Sequence, residues 1–258
     1  VRELAPSAEF NGSLAAPQSV ELRPRVSGAI VSVHVPEGAI VRKGQLLFRI
    51  DPRPFQVVLD QAQAQLRQAQ ASAALAESNF SRSEQLVSTG AISRKAYDDA
   101  VAQRNAARAQ VQVGNAAVAA ARLDLSFTQV TAPINGRVDR VLVTAGNVVG
   151  AGASATPLTT IKSVNPLHVL FDIDEATYLN FVEQARRGGS TAPLPVEIGL
   201  MTEQGYPHSA TLDFLGNGID RSAGTIRARA IIANHGPYNA PPNRAMTIPT
   251  WIACRLSV

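Results

Sequence analysis

A repeat split by a long insertion dominates this chain. Residues 26–50 (VSGAIVSVHVPEGAIVRKGQLLFRI) and 134–161 (INGRVDRVLVTAGNVVGAGASATPLTTI) carry the same pattern twice. Gly28 matches Gly136, Ile30 matches Val138, and Val33 and Val35 match Val141 and Val143. Gly38 matches Gly146, Ile40 and Val41 match Val148 and Val149, and Gly44 matches Gly152. After three extra residues in the second copy, Leu47 and Ile50 meet Leu158 and Ile161. Apolar residues alternate within each copy, and turns fall at Pro36-Glu37-Gly38 and Ala145-Gly146. Each copy therefore reads as short strands. So few strand residues cannot bury a face alone, whereas two copies facing each other can, as two halves of one small sandwich.

The insertion has a different period. Phe55, Leu59, Ala62, Leu66, Ala69, Ala73, Ala76, Phe80, Ser83 and Val87 are spaced by alternating steps of four and three. Tyr97, Ala100, Arg104, Ala107, Val111, Gly114, Val118, Ala121 and Leu125 repeat the rule, with Arg104 as the misfit. That is the seam of two paired helices. Pro52 and Pro54 precede the first helix, and Ser93 is placed to cap the second. The arms match in length, roughly 50 Å each at 1.5 Å per residue. They form an antiparallel hairpin whose outer faces are mostly Gln, Arg, Asp, Glu and Ser.

After Ser163 the alternation returns. LHVLFDI, PVEIGLM, SATLDFLG and TIRARAII read as strands, and DEATYLNFVEQARRGG as one helix with Asp174 as N-cap and Gly188 past its end. Short strands with one helix suggest a small barrel, to which the N-terminal segment lends a strand.

Order and motifs together resemble the periplasmic adaptor (membrane fusion) proteins of resistance-nodulation-division (RND) efflux pumps. The carrying stretches are VELRPRVSGAIVSVHVPEGAIVRKGQLLFRIDPRPF, AISRKAYDDA, LDLSFTQVTAPINGRVDRVLVTAGNVV and LTTIKSVNPLHVLFDIDEATYLNF. The resemblance implies a mixed α and β, elongated multidomain chain. An antiparallel coiled-coil hairpin is inserted in a split lipoyl-like β-sandwich, and a small β-barrel with one helix follows. The expected division is 1–24 joining the barrel, 25–52 the first lipoyl-like half, 53–127 the hairpin, 128–162 the second half and 163–258 the barrel. A membrane-proximal domain is expected to be largely absent. Single-strand hinges are expected near Leu22–Pro24 and Lys162–Pro166.

Family members carry Arg, Leu and Ser at the hairpin tip as R-x3-L-x6-S, and here Arg82, Leu86 and Ser93 match. The resemblance implies that these residues dock on a trimeric outer-membrane channel. Leu86 supplies an apolar knob, Arg82 a multi-donor fork and Ser93 a small polar contact. It further implies an inner-membrane RND-type transporter as partner and a ring of six copies. The location implied is the periplasm, at the inner membrane through a lipid anchor or N-terminal segment outside this chain. An adaptor of an ATP-driven exporter or type I secretion system is the alternative.

Other classes find little support. The net charge is +4, but the basic residues are dispersed without interleaved aromatics, which argues against nucleic acid. Cys254 is the lone cysteine and reads as a small buried apolar residue, and the four histidines lack ligand spacing. There is no G-x-x-x-x-G-K-[ST] loop. Asp172, Asp174 and Glu175 read as helix-cap and first-turn charge. A swinging-arm carrier would present a modifiable lysine between the two halves, where this chain holds its hairpin; Lys43 sits instead in a turn. No enzyme activity and no cofactor are expected.

Overall fold

A computed structural model describes residues 7–179, 183, 195–200, 203–220, 222–234 and 251–257. The first repeat copy forms β3 (Gly28–Val33), β4 (Ile40–Val41) and β5 (Leu46–Ile50). The second forms β7 (Gly136–Val138), β8 (Val148–Val149) and β9 (Thr159–Lys162). The copies do not each build a sheet. One sheet runs β2-β9-β7-β4, with β2 at Ser19–Leu22, and the other runs β6-β5-β3-β8, with β6 at Gln129–Thr131. Each copy thus lends its two-residue middle strand to the other's sheet.

The exchange is reciprocal to the residue. Gly28 pairs with Val149 and Ala29 with Val148; Gly136 pairs with Val41 and Arg137 with Ile40. Ile30 pairs with Ile50, and Val138 with Ile161. Gly38 N–H donates to the Val138 carbonyl at 3.0 Å, and Gly146 N–H to the Ile30 carbonyl at 2.8 Å. Val41, Leu47, Phe48, Ile50, Leu158 and Ile161 form one core between the sheets, completely shielded from solvent, with the consecutive Leu47 and Phe48 both buried where the β5–β6 ladder shifts register. Interleaving replaces the expected face-to-face halves because a two-residue strand has too few ladder bonds to stand alone.

The insertion forms α1 (Arg53–Ser88) and α2 (Arg94–Phe127). At 1.5 Å per residue they are about 54 and 51 Å long. Pro52 is the N-cap residue of α1, and proline in the first turn costs no hydrogen bond because those N–H groups have no intrahelical acceptor.

Six strands close an antiparallel barrel in the order β1-β10-β13-β12-β11-β14. These are β1 (Ser7–Ala15), β10 (Leu167–Asp174), β13 (Thr225–Ile232), β12 (His208–Asp220), β11 (Pro195–Leu200) and β14 (Trp251–Ser257). β10 alternates buried and part-exposed residues along its length, aiming Leu167, Val169, Phe171 and Ile173 inward. Cys254 lies in this core with Gly12 beside it, and burial pushes its thiol up to about 12.

Two expectations change. The N-terminal segment expected over 1–24 divides: β1 enters the barrel, but β2 pairs with β9 in a repeat sheet. The joint therefore lies at residues 16–18 and 163–166, closer to the barrel than Leu22–Pro24. It is cross-bonded, with Gln18 N–H donating to Ser163 Oγ at 3.1 Å and Ser163 N–H to the Gln18 carbonyl at 2.9 Å. Residues 251–257 close the barrel as β14. Asp174 does accept from the Thr177 N–H at 2.9 Å as a cap, and residues 175–179 are helical. Gly188, the expected helix end, lies outside the described residues.

Repeat-equivalent glycines differ in tolerance. A Cβ on Gly28 would meet Ile50 Cγ2 at 2.7 Å, a branch methyl of a buried side chain that must give way, but no backbone atom. A Cβ on Gly136 would strike the Lys162 backbone carbonyl, which β9 holds in place. Gly136→Ala should cost about 1–3 kcal/mol, the range for overpacking a filled site, and Gly28→Ala less. Thermal melts of the two variants check the order.

Candidate docking site at the hairpin tip

The turn between the helices is built by capping. Thr89 is the C-cap of α1, and Gly90 follows with φ 74°. Ala91 N–H donates back to the Leu86 carbonyl at 3.0 Å and Gly90 N–H to the Val87 carbonyl at 3.2 Å. This paired closure requires a left-handed residue after the cap, which glycine adopts without a Cβ clash. Ser88 Oγ and Thr89 Oγ1 donate to the Gln85 and Leu86 carbonyls at 2.7 and 2.9 Å. Nearly every carbonyl freed at the end of α1 is thus satisfied within the turn.

Ser93 then starts α2. Its backbone is extended (φ −73°, ψ 153°), and its Oγ accepts from the Ala96 N–H at 3.2 Å. The expected cap is present, so the Ser93 oxygen is engaged inside the chain while its hydroxyl proton stays available. Arg82 and Leu86, one helical turn apart, share a face of α1. Arg82 is exposed, with no ion pair among the described residues. Leu86 is 38% exposed, less than Leu75 of the same helix at 64%. The three predicted residues therefore flank one short, ordered turn.

Support changes along the hairpin. Toward the base, Leu59, Ala62, Ala69 and Ala76 of α1 and Gly114, Val118 and Ala121 of α2 are buried. Beyond Ala76, the described seam residues are only partly covered. There Phe80 packs on Tyr97, ring centroids 5.8 Å apart, and the Arg104 guanidinium lies 3.8 Å from the Phe80 ring centre. Arg104, the misfit of the heptad pattern, thus has an aromatic partner in the seam. Sequence reading missed this group; its signal was a cation and two aromatics at seam positions. An Arg108–Glu77 ion pair at 2.8 Å also spans the helices.

The base is tied to the sheets. Ile50 N–H donates to the Thr128 carbonyl at 2.8 Å, and the Arg25 guanidinium sits 5.0 Å from the Phe127 ring centre. Asp51, between β5 and α1, accepts from the Arg53 side chain and backbone at 2.7–3.1 Å. These bonds hold its carboxyl down at about 2.

The family profile described as "RND MFP, barrel-sandwich hybrid domain" matches residues 18–162, more than half of the chain. The chain belongs to the RND membrane fusion protein family. Curated relatives include the multidrug export protein AcrE of Escherichia coli, 35% identical over 229 residues, covering 88% of this chain and 59% of that protein. The efflux pump periplasmic linker BepD of Brucella suis is 33% identical over 230 residues, covering 88% and 58%. This membrane fusion protein chain thus spans about three-fifths of the length of those relatives. A crystallised MacA-MexA chimera carrying the Pseudomonas aeruginosa MexA α-hairpin shares the fold at TM-score 0.69 and 23% identity, covering 98% of this chain and 79% of the chimera. The membrane fusion protein Spr0693 of Streptococcus pneumoniae reaches the same TM-score at 14% identity, covering 97% and 98%.

Two outcomes are expected. Ser93→Ala removes the cap and should destabilise the protein by about 1 kcal/mol, whereas Ser93→Asp, another good cap, should not; urea melts followed by circular dichroism separate them. For Asp51, the folded pKa lies below the ordinary 3.8, so its contribution is present above about pH 4 and fades as pH falls toward 2. Asp51→Asn should flatten the pH dependence of the melting temperature across that window.

Proposed function

We propose that this chain is the adaptor subunit of a tripartite efflux pump. It bridges an inner-membrane proton-driven transporter to an outer-membrane channel. The observation that carries the reading is the tip: Arg82 and an exposed Leu86 beside a tightly capped turn, at the end of helices about 50 Å long. An apolar knob with a guanidinium fork suits the carbonyls and carboxylates of a partner's loops.

In this reading the helices form a coiled coil, and the interleaved sheets form a lipoyl-like sandwich without a carrier lysine. Copies pack side by side into a closed ring of six, a heterologous assembly that seals a conduit. The barrel faces the transporter, which supplies the energy, so the adaptor is not an enzyme. The protein works in the periplasm at the inner membrane, held by a lipid anchor or N-terminal segment. Among the described residues no helix is long and apolar enough to cross a membrane.

The test is drug susceptibility in an adaptor-deletion strain carrying the full-length protein. Leu86→Ser and Arg82→Asp lie on exposed helix, so folding should be retained by circular dichroism and immunoblot. Each should weaken docking by about tenfold or more, equivalent to ~1.4 kcal/mol, and restore less resistance than wild type. Full resistance with both folded variants would move docking away from the tip.

A further inference from the structure

Arg104 occupies a seam position where the heptad pattern calls for an apolar side chain. Its neighbours along that seam are Tyr97, Ala100, Ala107 and Val111. Tyr97 and Arg104 lie two turns apart on one face of α2, and Phe80 of α1 packs against both, as a knob between them. A guanidinium is attracted to the negative face of an aromatic ring, and a tilted ring pair is a favoured arrangement. Both contacts depend on angle and position, whereas alkyl packing is non-directional. Arg104 Nε and Nη2 also donate to Asn105 Oδ1 at 3.4 and 3.3 Å, which steadies the guanidinium.

The location gives this group its consequence. The buried seam ends at Ala76 on α1 and begins again only at Gly114 on α2. Between there and the tip, small seam residues such as Ser83, Ala100 and Ala107 permit one helix to slide or roll on the other. The Arg108–Glu77 pair is exposed, and exposed pairs restrain little. Phe80 stands two residues before Arg82, and Tyr97 four residues after Ser93.

We propose that Arg104 is a positioning residue: stacked on Phe80, it sets the axial register and roll of α1 against α2 near the tip, and so the placement of Arg82 and Leu86 relative to Ser93. Its purpose rests on the tip being the docking end; the geometric claim does not.

The test places nitroxides on cysteines introduced at Glu84 and Lys95, exposed positions on either side of the turn. The buried Cys254 stays unlabelled in the native protein. Pulsed EPR on the whole protein reads the distance distribution. Arg104→Gln keeps helix propensity and a donor for Asn105 but removes the cation. Helicity should be unchanged, while the distribution shifts or broadens by about 1.5 Å or more, the rise of one residue. Phe80→Leu should reproduce that change, and Arg104→Lys, which keeps a cation over the ring, should return the distribution toward wild type. A wild-type distribution in Arg104→Gln or in Phe80→Leu overturns the proposal. Susceptibility assays on the same variants separate the two readings. A shifted tip with full resistance supports the positioning role and counts against docking at the tip. A shifted tip with lost resistance supports both.

Discussion

Neither repeat half can complete a sheet without the other, and the rest of the molecule depends on that exchange. Among the described residues, β4 finds ladder partners only in β7, and β8 only in β3. The chain must therefore close a long loop before either sheet exists, at an entropic cost that rises only slowly with loop length. A folded insertion shortens the effective loop further, because a helical hairpin returns the chain close to where it left. Ile50 N–H bonded to the Thr128 carbonyl marks that return. The sandwich core is thus the clamp at the foot of the hairpin, and the hairpin is the connection that lets the clamp form.

That arrangement has a mechanical result. The hairpin is anchored at its base by sheet bonds, Asp51–Arg53 and Arg25–Phe127, and by small buried residues that let the helices approach closely. Apolar burial declines toward the tip, and directional contacts take its place. The turn is held by backbone capping, and the stretch below it by the Phe80, Tyr97 and Arg104 group. Ordering therefore reaches a tip that has no core of its own. This is the condition for presenting a few exposed side chains in a defined arrangement, since immobilised groups lose less freedom on contact with a partner.

The barrel is joined to the sheets by two segments, residues 16–18 and 163–166. Gln18 and Ser163 bond reciprocally at the crossing. Asn234, at the end of the barrel wall, places its Nδ2–H on the buried Val164 carbonyl at 2.9 Å. β14 sits between β1 and β11, so the barrel is closed by strands from opposite ends of the described chain. Across this wall, Arg255 and Glu9 are directly opposed and form an ion pair at 2.6 Å.

Much of this was legible in the residues because periodicity survives in one dimension. The step-of-two and step-of-seven patterns located the strands and the two helices, the matched glycines exposed the repeat, and Ser93 announced its cap. The tip triplet was named through the family resemblance, whose R-x3-L-x6-S spacing Arg82, Leu86 and Ser93 match. What could not be read are matters of which partner a segment chooses. Two-residue strands carry no signal for whose sheet they join, and β2 looks the same whether it pairs with β9 or enters the barrel. Arg104 read as a flaw in the heptad because its compensating ring lies on the other helix. The sequence by itself determined the kinds of element, their order and the chemistry offered at the tip, since these follow from local propensity and period. Only the tertiary structure decided the strand exchange, the closing role of β14 and the cation–aromatic packing, because each is a contact between residues far apart in the chain.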